Sequence, residues 1–133
     1  MVNLIAVLAA GIASMVIGFL WFGPLFGKIW MNMMGLKQSD MKKMKTGMQM
    51  GYVGQFVASL VMAWVMGMLI TTTNATSLIA GLMVGFWGWL GFVATTTLGG
   101  VLWENKPVKL YLFNNAHLLL NALVMAAILV SLP

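Results

Sequence analysis

Apolar residues fill this chain in four long blocks, and its charges fall between them. The blocks run from about Asn3 to Phe22, Gly47 to Ile70, Leu78 to Leu102 and Lys109 to Leu132. A helix of ~20 apolar residues crosses the hydrocarbon of a bilayer. The pattern therefore predicts an all-α integral membrane protein with four transmembrane helices. Small and polar residues inside the blocks are periodic. Ala6, Ala10, Ser14 and Gly18 recur every fourth residue, as do Gly47, Gly51, Gln55, Ser59, Ala63 and Gly67. Gly81, Gly85 and Gly88 follow a similar rhythm, with Gly91 and the run Thr95-Thr96-Thr97 beyond them. Such spacing makes one smooth helix face, against which a neighbouring backbone can pack closely.

The long interruption is the segment 23–46. Gly23-Pro24 breaks the first helix, and proline suits the first turn of another. Leu25, Phe26, Ile29, Trp30 and Met33 then share a face, with Gly27, Lys28 and Asn32 opposite and Gly35 as a stop. This predicts a short amphipathic helix lying in the membrane interface and anchored by Trp30. Ser39 and Asp40 read as the start of the second helix, a hydroxyl cap followed by an acid in the first turn. Met41, Met44 and Met48 continue one face, while Lys42, Lys43 and Lys45 stay solvated. Thr71 to Ser77 is an uncharged turn, and Trp103-Glu104-Asn105-Lys106-Pro107 ends the third block at an interface.

Composition strengthens this picture. The 133 residues, one domain by length, are 62% hydrophobic and 7% charged, with a mean hydropathy of +0.98. A chain so poor in charge cannot coat its own surface for water. The net charge of +5 comes from lysine alone, with no arginine. The lysines lie between apolar blocks and so read as topology signals and headgroup contacts, and no nucleic-acid partner is expected. Lys28, Lys37, Lys42, Lys43 and Lys45 precede the second block, and Lys106 and Lys109 precede the fourth. Two loops on one side carry all the charge, so both are expected in the cytoplasm with both termini outside. The expected location is a cytoplasmic (inner) membrane. No cleavable signal peptide is evident, and the first block reads as a retained helix. Without cysteine there is no disulfide, thiolate metal site or cysteine nucleophile. The halves echo each other faintly, with Leu60-Val61-Met62-Ala63 recurring as Leu123-Val124-Met125-Ala126.

Candidate chemistry is polar and intramembrane. Asn114, His117 and Asn121 share a face of the fourth helix, and His117 lies about 12 Å past Lys109. Ser14, Gln55 and Thr95 reach comparable depths, so the six could meet in one layer. Buried polar groups in a membrane face the bundle interior and pair there. The layer reads either as interhelical hydrogen bonding or as a binding site or conducting path with His117 as its titratable element. Glu104 reads as an interfacial ion-pair partner of Lys106 or Lys109, or as a gating carboxylate at a cytoplasmic mouth. The methionines crowding the loop read as apolar packing rather than a Cu(I) site, because no histidine or cysteine stands beside them. No phosphate-cradling loop, zinc spacing, paired carboxylates or nucleophile with a base is present, so neither an enzyme nor a cofactor is expected.

At Gly18-Phe19-Leu20-Trp21-Phe22-Gly23-Pro24-Leu25-Phe26-Gly27-Lys28 with Trp30, the sequence resembles a family of small bacterial membrane proteins of unknown function, the domain-of-unknown-function family numbered seventeen sixty-one. The resemblance continues at Gly91-Phe92, Leu102-Trp103-Glu104, Leu110-Tyr111 and Asn114. It implies a four-helix inner-membrane protein and brings no activity with it. The smooth faces point to a self-associating structural or interaction protein. It would work as a homo-oligomer in the lipid bilayer, with a cytoplasmic or membrane protein as possible partner. The alternative is an oligomeric transporter or channel for a small solute or ion, built on the polar layer.

Overall fold

Asn3 opens the first helix, its side-chain oxygen accepting the Ile5 N–H at 2.9 Å as an N-cap does. The computed structural model describes residues 2–35 and 38–132, with the side chains of residues 38–49 outside the description. Helix α1 spans Leu4–Leu20 and continues through a π-helical turn, Trp21–Leu25. The backbone leaves helical geometry inside that turn, at Gly23 (φ −117°, ψ −108°), one residue before Pro24. The second helix expected from Pro24 accordingly starts later, as α2, Gly27–Met34. It ends at Gly35, whose left-handed φ of 69° is the conformation glycine adopts without strain.

Helix α3 is a continuous rod, Gln38–Thr72, of 35 residues and about 52 Å. Ser39 and Asp40 fall within its first turn; the expected cap, Lys37, and the side chains of Lys42, Lys43 and Lys45 and of Met41, Met44 and Met48 lie outside the described detail. After a short turn holding Asn74 at φ 56°, Ser77 caps α4, Leu78–Gly88, by accepting the Ala80 N–H at 3.1 Å. The third block is not one regular helix. It passes from α4 into a π-helical stretch, Trp89–Ala94, then α5, Thr95–Thr97, and α6, Gly99–Trp103. The threonine run explains much of the irregularity. Thr95, Thr96 and Thr97 donate hydroxyl bonds back to the carbonyls of Gly91, Phe92 and Val93 at 2.6–2.7 Å, a pattern that bends helices. Helix α7, Val108–Ser131, completes the chain.

Among the described residues, four segments are long and apolar enough to cross a membrane: Leu4–Leu25, Met50–Thr72, Leu78–Trp103 and Val108–Ser131. The first reaches three residues beyond the expected Phe22, across the break in helical geometry at Gly23 that the Gly23-Pro24 pair predicts. Helix α7 is the most buried and packs on α1, α3 and α4 in turn. Helices α1 and α3 form one antiparallel hairpin and α4 and α7 another. The core is built from small residues, Ala6, Ala10, Ala63, Ala122 and Ala126, filled out by Met66, Met125 and Leu129. On α4, Gly81 and Gly85 work as their spacing predicts, while Gly88 has nothing within 4 Å of its Cβ position. A Cβ on Gly85 would stand 2.9 Å from the Ala122 carbonyl oxygen, and one on Gly81 2.7 Å from Val130. Only glycine permits so close a crossing.

At the loop after α6, Glu104 pairs with Lys106 at 3.1 Å, both side chains more than half exposed. Exposed pairs of this kind contribute about 0–1 kcal/mol. Glu104→Gln is therefore expected to leave the thermal midpoint unchanged within error, as a melting curve would show.

Candidate functional site

Helix α7 presents two different faces to its neighbours. One face, through Tyr111, Asn115, Ala122, Ala126 and Val130, meets the α4 hairpin arm. The other, through Phe113, His117, Asn121 and Leu129, meets α1 and α3. Each face carries its own polar group at mid-helix.

On the α1–α3 side, Ser14 and Ser59 are both buried and share a hydroxyl bond of 3.2 Å. Asn121, 5% exposed, donates to the Met62 sulfur at 3.9 Å, a weak contact at best. Its Oδ1 is buried with no hydrogen-bond partner among the described residues. One turn toward the lysine-bearing end, His117 packs across the smooth position Gly18, where a Cβ would lie 3.7 Å from Nε2. That nitrogen is also buried without a partner. Beyond it the bundle closes with rings. His117 meets Phe22 at 5.0 Å and Trp21 at 5.8 Å, and Trp21 packs on Phe26 at 4.6 Å and Phe113 at 5.4 Å. Trp30 joins from α2 against Phe22, edge-on at 5.4 Å. The Trp21 indole N–H is a third buried group without a partner among the described residues.

On the α4 side, buried Asn115 donates to Thr97 Oγ1 at 3.0 Å and to the Tyr111 carbonyl at 3.1 Å. The Tyr111 hydroxyl donates to the Ala94 carbonyl at 2.8 Å, at the end of the π-helical stretch. This second network pins the irregular third block to α7. Trp89, which opens that stretch, also has a buried indole N–H with no partner among the described residues.

Of the six residues expected in one layer, the structure gathers three in the seam between α1, α3 and α7: Ser14, His117 and Asn121. Ser59 joins them. Gln55 and Thr95 do not, and both are exposed. Thr95 turns its hydroxyl onto its own helix. At the end of α1 nearest Gln55 the rings of Trp21 and Phe22 pack on Phe113 and His117 of α7. Asn114 is half-buried, and its neighbour Asn115 is the one that bridges helices. That choice depends on the phase of α7 against α4. The threonine run was the one sequence signal that a partner was needed there. Among the described residues no three His, Asp, Glu or Cys side chains come together as a metal cluster.

A family model described as "Protein of unknown function (DUF1761)" matches residues 5–130. The chain belongs to that family. No curated protein and no solved structure matches it.

Proposed function

From membership in a family that brings no activity with it, we propose that this chain is an integral protein of a cytoplasmic membrane that self-associates and serves as a structural or interaction component. Its lysine loops face the cytoplasm and both termini lie outside, as the positive-inside rule requires. Helix α2 would lie in the interface, a reading supported by the exposure of Ile29 and Lys28 on it and of Leu25 just before it. The reading assigns no catalytic step to any residue.

One observation carries the proposal: Gln55 stands exposed inside the lysine-side end of an apolar segment, just after two bare glycines. Gly51 and Gly54 have nothing within 4 Å of where a Cβ would be. Gln55 lies about 8 Å inside Met50 along the helix. Facing hydrocarbon, its amide would keep one acceptor and two donors unpaired, at a cost of several kcal/mol. A second copy removes that cost, because a carboxamide is its own complement across a two-fold axis. The two glycines let the backbones approach to that distance.

The chain has no cysteine, so single cysteines report directly. Gln55→Cys in membranes is expected to oxidise to a covalent dimer of twice the 14.4 kDa chain mass. Phe92→Cys, 74% exposed on a different segment, is expected to stay monomeric. Equal crosslinking at the two positions would remove the support for a specific face.

A second reading is favoured by the buried unpartnered groups His117 Nε2 and Asn121 Oδ1. In it the oligomer carries a small solute or ion along the seam. Proteoliposome flux that responds to His117→Ala and Asn121→Ala would support transport, and absence of flux would end it.

A further inference from the structure

We infer that the seam between α1, α3 and α7 is a hydration site, holding ordered water between His117 and Asn121 near the middle of the bundle. The inference rests on the bundle's interior alone and is independent of self-association.

Two polar atoms on one face of α7, Asn121 Oδ1 and His117 Nε2, are buried there without protein partners among the described residues, and Trp21 Nε1 is a third beyond His117 toward the aromatic closure. Leaving a buried polar atom unpaired costs about 1–3 kcal/mol. Exchanging the two halves of the Asn121 carboxamide does not help. The Met62 sulfur would then face the oxygen, and the NH2 would become the unpaired half. The neighbouring hydroxyls have spare capacity as well. Ser14 and Ser59 share one bond, which leaves one O–H and several lone pairs unused. The antiparallel register that sets Asn3 against Leu132 and Gly18 against His117 also sets Ser14 level with Asn121.

Size and spacing select the occupant. His117 and Asn121 are one turn apart on the same face, a rise of about 6 Å. Two end-to-end hydrogen bonds through one water span about 5.6 Å. The walls are close, with Met62 Sδ 3.9 Å from Asn121 Nδ2 and the Gly18 Cβ position 3.7 Å from His117 Nε2. Contacts of this length are ordinary van der Waals contacts and leave no room for a larger ligand. A buried water holds its place with two to four polar partners, and this seam offers an acceptor at Asn121 Oδ1 and a nitrogen at His117 Nε2. Asn121 lies about 20 Å along α7 from Val108, far from either end, so such water is separated from bulk solvent by the aromatic closure on one side and by the alanine and methionine core on the other.

Radiolytic footprinting of the wild-type protein in lipid nanodiscs tests this, because hydroxyl radicals born from bound water oxidise the side chains that touch it. Met62 borders the site. Met125 is fully buried in the apolar core of the same bundle, and Met68 and Met83 are 42% and 53% exposed on apolar segments. Oxidation at Met62 is expected to be several-fold faster than at any of these three. Asn121→Leu, which removes the acceptor, is expected to bring Met62 down to the Met125 rate. If Met62 in the wild type oxidises no faster than Met125, Met68 and Met83, the site is dry and the inference is overturned; that comparison does not depend on the variant folding. Gln55→Cys crosslinking reads the oligomer separately, so the two failures remain distinguishable.

Discussion

Gly85→Leu is expected to separate α4 from α7 and lower the melting temperature of the protein in detergent or lipid by many degrees. The reason is geometric. The Cβ of any residue at this position would stand 2.9 Å from the Ala122 carbonyl oxygen and 3.0 Å from the Ala126 Cβ. Neither neighbour is the flexible end of a side chain. One is backbone and the other is the first atom of an alanine, so relief requires that the helices move apart. Overpacking of this kind costs typically about 1–3 kcal/mol and sometimes more, and a leucine extends the clash well beyond Cβ. Helix α4 depends on this crossing, because it meets α7 far more extensively than it meets α3. Gly91→Ala is the matched control. Its Cβ meets nothing within 4 Å, and alanine raises helix propensity by up to about 1 kcal/mol over glycine. Unfolding followed by tryptophan fluorescence should therefore show a large loss for Gly85→Leu and none for Gly91→Ala. A Gly85→Leu protein that melts like the wild type would mean that α4 does not cross α7 at this point.

Asn115→Leu is expected to cost about 1–2 kcal/mol through the loss of a buried interhelical hydrogen bond. Asn115 is 5% exposed and bridges Thr97 Oγ1 on the irregular third block to the Tyr111 carbonyl on its own helix. Thr97 keeps its bond to the Val93 carbonyl at 2.7 Å, so it is not stranded when Asn115 goes. The loss is confined to the interhelical tie. Asn114→Leu, one residue away and half-buried, is expected to change stability by a few tenths of a kcal/mol at most. Equilibrium unfolding in mixed micelles separates the two variants. Equal effects would show that the network around Thr97 contributes no more than the surface of α7 does.

The four blocks were legible because hydrophobic length is a one-dimensional property, readable without knowing what packs on what. The small-residue faces were legible for the same reason: Ala6, Ala10 and Ser14 on α1, and Ser59, Ala63 and Gly67 on α3, are buried as their spacing implies. Partner choice was not legible. Periodicity gives α7 one polar face through Asn114, His117 and Asn121, whereas a helix with three neighbours uses two. Asn115 belongs to the second. The stripe on α3 likewise reads as one continuous face, yet its lower part, Gly51 and Gln55, is exposed while its upper part is buried. The aromatic residues that end α1 pair with Phe113 and His117, which turns that end of α1 toward α7. The π-helical turns were also hidden, since they follow from Gly23-Pro24 and from threonine back-bonding acting on a specific backbone. The edge-on contact of Trp30 with Phe22 depends on how the chain turns after α1 and has no signature in the spacing.

The central claim is that this chain works as more than one copy, joined through the exposed glycine and glutamine face of α3. Its most direct test is the mass of the protein in a bilayer, measured for the wild type and for the double variant Gly51→Leu/Gln55→Leu. The account predicts a wild-type mass that is a multiple of 14.4 kDa and a double variant at the mass of one chain. A wild-type protein that remains a single 14.4 kDa chain in lipid at every protein density would contradict it.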